Sequence, residues 1–309
     1  MIIYSIKSPY IRLVFYVIFK KVPSISVKIG PHGRRNISII MKIITFGTLK
    51  GGVGKTMLCF NIGGILAQNG KKVLVIDSDL QGNLTNNMGI DRTKSDLFTT
   101  YDIYRLDNPP PHPESLILFH PIEKLENLDI IPGSIFLHKA ELNVASVTGR
   151  ERILLNYLSD YEDFFSKYDY ILIDTNPSMS IVNQNAFLVS EAILLISDVS
   201  MNAVEGAQLF IALWENARKR LRTADNIKGF IINDFDSRNK LSADFLDFIH
   251  TSPETADLRE ILLDTIVPRN VRLTESELAA IPISLYDPHS KGYEAIAALT
   301  EELLRKQII

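Results

Sequence analysis

The chain has 309 residues, 46% of them hydrophobic and 22% charged, with a formal net charge of −3. This composition is close to the globular average, and no apolar run approaches the roughly 20 residues a spanning helix needs, so disordered and membrane-spanning classes are excluded. Cys59 is the only cysteine, so one chain can build neither an internal disulfide nor a cysteine-based metal cluster, and a reducing, cytoplasmic setting is expected.

Charge is spread unevenly along the chain. Residues 1–40 hold seven Lys/Arg and no Asp/Glu, which leaves 26 basic against 36 acidic residues, a charge of −10, in 41–309. The apolar run from Leu13 to Phe19 is too short to cross a bilayer, and Pro23, Gly30, Pro31 and Gly33 interrupt the residues after it. Three readings of this head compete: an extension upstream of a true start at Met41, a basic membrane-touching segment, or an export signal. The first is preferred, because Met41 stands directly before a strand-like run and no small-residue cleavage site is present. Residues 1–40 are therefore expected to be a mis-set start or a disordered extension, with 41–309 forming one domain.

From Met41 onward, short β-rich apolar runs recur at 42–47, 72–77, 128–132, 169–174, 192–198 and 227–233. They are continuous rather than alternating, as strands buried on both faces are. Segments such as 57–69 and 204–222 carry apolar residues at three- and four-residue spacing, which gives repeated β-α units. The expected fold is α/β: a doubly wound, mostly parallel sheet with helices on both faces and ligands at the carboxyl ends of strands. Between 91 and 121 the pattern lapses around Pro109, Pro110, Pro111 and Pro113, and a surface loop is expected. The last segment, 293–309, places Ile296, Leu299, Leu303, Leu304 and Ile308 on a docking helix, with only Arg305 and Lys306 as basic residues.

After the first strand comes Leu49-Lys50-Gly51-Gly52-Val53-Gly54-Lys55-Thr56. Average residue frequencies put the chance occurrence of its last seven residues in such a chain at about one in a million. Glycines let backbone N–H groups turn inward against phosphate oxygens, and the next helix adds its positive dipole end. Lys55 supplies charge to the β- and γ-phosphates, and Thr56 an oxygen for Mg2+. Leu49 stands where the general pattern has Gly, so the loop is a variant. Cys59 on that helix reads as core packing.

Carboxylates and an amide stand at later strand ends. Asp77 and Asp79 lie two residues apart, so both side chains leave a strand on one side. Asp169-Tyr170-Ile171-Leu172-Ile173-Asp174 is an apolar strand closed by a carboxylate, the form of a Walker B motif. Lys228 to Asn233 ends in an amide able both to donate and to accept. The basic run Arg218-Lys219-Arg220-Leu221-Arg222 reads as a solvated helix end.

With Lys50 as a second lysine at the loop entry, these motifs resemble the deviant Walker A ATPases of the ParA/Soj/MinD family over essentially all of 41–309. The resemblance implies a P-loop ATPase that takes ATP and Mg2+, with Lys50 reaching phosphates across a dimer interface. It implies nucleotide contacts from Lys50, Gly51, Gly52, Val53, Gly54, Lys55, Thr56 and Met57, with Asn233 reading adenine and Pro268 nearby. Asp79 activates the attacking water alongside Lys50 and Lys55, and Thr56, Asp77 and Asp174 form the metal shell. The stretches 266–275 and 285–292 resemble the partition branch, in which Arg238 and Arg272, joined by Lys240, Arg269 and Lys291, contact DNA. Three places depart from the family pattern: Leu80 in place of a proline, Asn176 where two prolines are usual, and Asp198-Val199-Ser200 in place of a Pro-containing stretch near the dimer interface.

The implied function is a slow, partner-stimulated ATPase that forms a homodimer on ATP binding. In that state it binds double-stranded DNA without sequence preference and segregates plasmid or chromosomal DNA with a ParB-like centromere-binding protein, as a cytoplasmic, nucleoid-associated protein. Two alternatives stay open: a MinD-like membrane-associated positioning ATPase, favoured if residues 1–40 are native, and a weakly hydrolysing regulatory ATP-binding module.

Overall fold

The computed structural model describes residues 41–309 apart from 93 and 95, so the readings of residues 1–40 lie outside the described residues. Six parallel strands form one sheet: β1 (Lys42–Gly47), β2 (Val73–Ser78), β3 (Leu128–Ile131), β4 (Tyr170–Thr175), β5 (Ala192–Ser197) and β6 (Ile227–Ile232). Their order is β3-β2-β4-β1-β5-β6. The chain moves outward from β1 to β3, returns through β4 beside β1, and then builds the other half. The carboxyl ends of β1, β2 and β4 thus meet near a reversal of strand order, where doubly wound sheets bind ligands. The register pairs Asp77 with Asp174, so both carboxylates reach the same rim.

Each expected strand is present, with ends shifted by a residue or less. The continuous runs are buried on both faces, as the helices covering the sheet require. One face is covered by helix Lys55–Gln68 and by the C-terminal helix Lys291–Arg305, which share a core cluster. Helix Lys55–Gln68 is apolar nearly all round and buried along most of its length, with Cys59 fully enclosed. Asn61 ties helix Lys55–Gln68 to the short helix Ile283–Tyr286: its Nδ2 donates to Met57 O and its Oδ1 accepts from Ile283 N at 2.7 Å. The C-terminal helix docks as expected through Ile296, Leu299 and Leu303, whereas Leu304 turns outward.

The segment 91–121 differs from the expected surface loop. It contains helices Thr100–Tyr104 and Pro113–Leu116, and it buries Ile103, Tyr104, Leu116 and Ile117 against the opposite face of the sheet. Capping chemistry explains the difference. Thr99 and Asp102 form a capping box, and Pro113 occupies the first helical turn, where its missing N–H costs nothing.

Candidate active site

The loop after β1 curls back on glycines before helix Lys55–Gln68 begins. Gly54 is the residue before that helix and sits at φ 95°, a left-handed conformation that disfavours any side chain. A Cβ there would also overlap the Asn233 amide nitrogen. That amide donates from Nδ2 to Val53 O at 2.8 Å and is buried, so the end of β6 is pinned to the back of the loop.

In front of the loop lies a cavity of about 500 Å³ lined by Gly51, Gly54, Lys55, Thr56 and Asp79, among others. Lys55 is buried; burial lowers its pKa, and Asp174 and Asp79 partly offset this. Thr56 Oγ1 donates to Asp174 Oδ2 at 2.6 Å. Asp174 Oδ1 is buried without a hydrogen-bond partner. Burial and the neighbouring Asp77 push the Asp174 carboxyl up to about 8, against the pull of Lys55 and Thr56.

Asp77, expected in the metal shell, has both oxygens engaged by the protein. Oδ1 accepts from Asp79 N at 3.1 Å, and Oδ2 accepts from Thr85 N at 2.9 Å and Thr85 Oγ1 at 2.6 Å. Thr85 Oγ1 in turn accepts from Gly133 N at 2.8 Å. A Cβ at Gly133 would lie 2.6 Å from Asp77 Cγ, so only glycine admits this carboxylate. Burial raises the Asp77 pKa to about 6, opposed by these hydrogen bonds. Asp79 projects to the cavity, with Oδ1 accepting from Gln81 N at 2.9 Å.

A buried carboxylate with an orphan oxygen destabilises the ligand-free protein in a pH-dependent way. The Asp174 pKa is raised on folding, so between 3.8 and about 8 the native state holds a proton that the unfolded chain has released, and stability falls as pH rises through that window. Asp174→Asn is therefore expected to raise the Tm of nucleotide-free protein at pH 8 by about 2–5 °C and to flatten its pH dependence. Differential scanning calorimetry checks this, and a lower Tm at pH 8 would contradict it.

The other expected site residues spread around this cavity. Met57 lines it, and Val53 is buried behind it. Pro268 pairs with Phe235 beyond the end of β6. Lys50 reaches away from the cavity, donating from Nζ to Asp198 Oδ2 at 2.6 Å and to Ser200 Oγ at 2.9 Å. Arg238 and Arg269 stand exposed on loops and Arg272 in the first turn of helix Val271–Leu278, and they are paired with Asp236, Asp234 and Glu275, respectively. Lys240 is exposed at the start of helix Lys240–Thr251. Sequence reasoning missed Asn87 and Glu277, which line the cavity mouth and bond to each other at 2.7 Å, and Thr85 as the partner of Asp77. Asn87 and Glu277 belong to no spaced motif, and Thr85, though it closes the stretch that carries Asp77 and Asp79, gives no sign in sequence of what it bonds.

The AAA domain family matches residues 41–227. The chain is 34% identical to the sporulation initiation inhibitor protein Soj of Bacillus subtilis over 262 residues, 85% of this chain and 98% of that protein. It is 31% identical to the chromosome-partitioning ATPase Soj of Treponema pallidum over 265 residues, 86% of this chain and 98% of that protein. Among solved structures, a plasmid partition protein of Borrelia burgdorferi bound to AMPPNP superposes with a TM-score of 0.66 at 25% identity, over 87% of this chain and 99% of the other.

Proposed function

The chain belongs to the ParA/Soj family of P-loop ATPases, and on that premise we propose that it is a DNA-partition switch. It hydrolyses ATP to ADP and phosphate, dimerises in the ATP state, and binds double-stranded DNA without sequence preference while ATP is held. A ParB-like centromere-bound protein stimulates hydrolysis and so releases the DNA. The observation that carries this reading is the cavity in which the glycine loop, Lys55, Thr56 and Asp79 converge at the carboxyl ends of β1 and β2. The relatives described as Soj, and the partition protein solved with AMPPNP, support it.

The donor set fits Mg2+. Asp174 presents a buried oxygen with no protein partner beside the Thr56 hydroxyl, and hard oxygen donors of this number suit an ion completed by phosphate and water. Thr56 and Asp174 would hold the ion, with Asp77 fixing the loop behind them through Thr85. A bound Mg2+ supplies charge neutralisation on the β- and γ-phosphate oxygens. Lys55 would bind those phosphates, the loop N–H groups would orient them, and Asp79 would position the attacking water. Asn233 couples the adenine side to the loop through its bond to Val53. Asn233 is the intended adenine reader in this scheme, with Pro268 beside the base.

Arg238, Arg272, Arg269 and Lys240 form the DNA-contacting set. Because each of the three arginines already faces a carboxylate, DNA phosphates must displace an internal partner, and one subunit alone binds weakly. Joining two subunits makes two weak patches act as one, which ties DNA binding to ATP. The double exchange Arg238→Ala with Arg272→Ala is expected to lower ATP-state affinity for random-sequence duplex about tenfold or more, and to reduce the salt slope by about four, since each subunit of the dimer loses two contacts. Fluorescence anisotropy across a salt series measures both, and an unchanged slope would move the patch elsewhere. Among the described residues no helix is long and apolar enough to cross a membrane, and we place the protein at the nucleoid in the cytoplasm.

A further inference from the structure

Glu277 is placed against two physical preferences. It stands in the last turn of helix Val271–Leu278, where the negative end of the helix dipole disfavours a carboxylate. It is also half-buried in the lining of the ATP cavity, where a second negative charge repels phosphates. Burial raises its pKa, and the bond from Asn87 opposes this. Oε1 accepts from Asn87 Nδ2 at 2.7 Å, whereas among the described residues no donor reaches Oε2. The carboxylate is therefore fixed with one acceptor oxygen to spare. Its supports are firm on both sides: Leu273 and Ser276 of its own helix are buried, and Asn87 ends helix Asn83–Asn87, whose Thr85 binds Asp77. Glu277 lies between 266–275 and 285–292, the stretches that resemble the partition branch, so that resemblance gives it no role.

An ionised carboxylate only accepts hydrogen bonds, so its complement in the cavity is a donor. An adenosine phosphate offers donors at two places, the adenine amino group and the two ribose hydroxyls. The amino group falls to Asn233, whose Nδ2 is taken by Val53 O and whose Oδ1 is left to accept. The hydroxyls remain for Glu277. Pro268, beside the base in this scheme, leads directly into the helix that carries Glu277. Thr274, one turn earlier on the same helix face, lines the same cavity. We propose, on the reading of this cavity as an ATP site, that Glu277 recognises the sugar: Oε2 accepts from the ribose 2′- and 3′-hydroxyls, with Thr274 beside it, and the site thereby selects ribonucleotides. Acidic side chains recognise ribose hydroxyls by the same chemistry in dinucleotide-binding folds. The diol gives back to Glu277 the donors that burial removed.

Isothermal titration calorimetry of the full-length chain with ADP and with 2′,3′-dideoxy-ADP, both with Mg2+, tests the contact without turnover. Wild type is expected to bind ADP about ten- to a hundredfold tighter than the dideoxy nucleotide. In Glu277→Ala the two affinities are expected to lie within about twofold of each other, because ADP binding weakens while dideoxy-ADP binding does not. Glu277→Gln, which keeps a neutral acceptor, is expected to give an intermediate ratio, and a thermal melt establishes that each variant is folded. Equal wild-type affinity for the two nucleotides, or a ratio that Glu277→Ala leaves unchanged, overturns the sugar contact alone and leaves the ATP site standing. A wild-type chain that binds neither nucleotide overturns the ATP-site reading, and the sugar contact with it.

Discussion

Replacing Lys55 with alanine lowers kcat/KM for ATP by at least about 10³-fold, because it removes the charged donor buried at the head of the glycine loop. The Lys55 side chain is buried, so its charge acts at the phosphates with less screening than a surface lysine's would. The exchange acts on the protein as well as on the reaction. Lys55 partly offsets the penalty on the Asp174 carboxylate, so the nucleotide-free variant also melts earlier above neutral pH. Steady-state hydrolysis with a melt at pH 6 and pH 8 separates the two effects. Retention of more than a tenth of wild-type turnover would remove Lys55 from the phosphate site.

Asp79→Asn gives a different pattern. Asp79 reaches the cavity, while one of its oxygens is held by Gln81 N at 2.9 Å, a bond the Asn carbonyl can keep. The expected result is a fall in kcat of about 10²–10³-fold, with ATP affinity within about threefold of wild type, since an interaction made in the transition state is lost and ground-state binding is not. Single-turnover hydrolysis and equilibrium binding measure the two quantities. A wild-type chain that turned ATP over no faster than this variant, with DNA and partner present, would favour the weakly hydrolysing regulatory alternative.

Much of the strand pattern was legible because buried parallel strands write themselves as unbroken apolar runs; β1, for instance, is Lys42–Gly47 in sequence and structure alike. Strand order was not, since nothing in a run of Ile and Val says which neighbour it will pair with. The short helices Thr100–Tyr104 and Pro113–Leu116 were hidden by prolines, which break helices in the middle but start them at the first turn. In the site, the glycine loop was readable because close phosphate approach restricts residue type at every position. Asp77 was readable as a strand-end carboxylate, but its bonds to Thr85 need the turn and short helix that follow β2, and the close approach of Gly133 depends on a strand that arrives about fifty residues later. The Lys50–Asp198 pair spans 148 positions, and only the adjacency of β1 and β5 brings it together.

If the protein is a nucleotide-gated partition switch, ATP, and not ADP, turns this acidic body into a DNA binder. The decisive experiment titrates full-length protein into random-sequence duplex with ATP, with ADP and without nucleotide, across a salt series. Tight binding is expected only with ATP, with an affinity that falls steeply as salt rises. Equal binding in all three states, or none in any, would refute the switch.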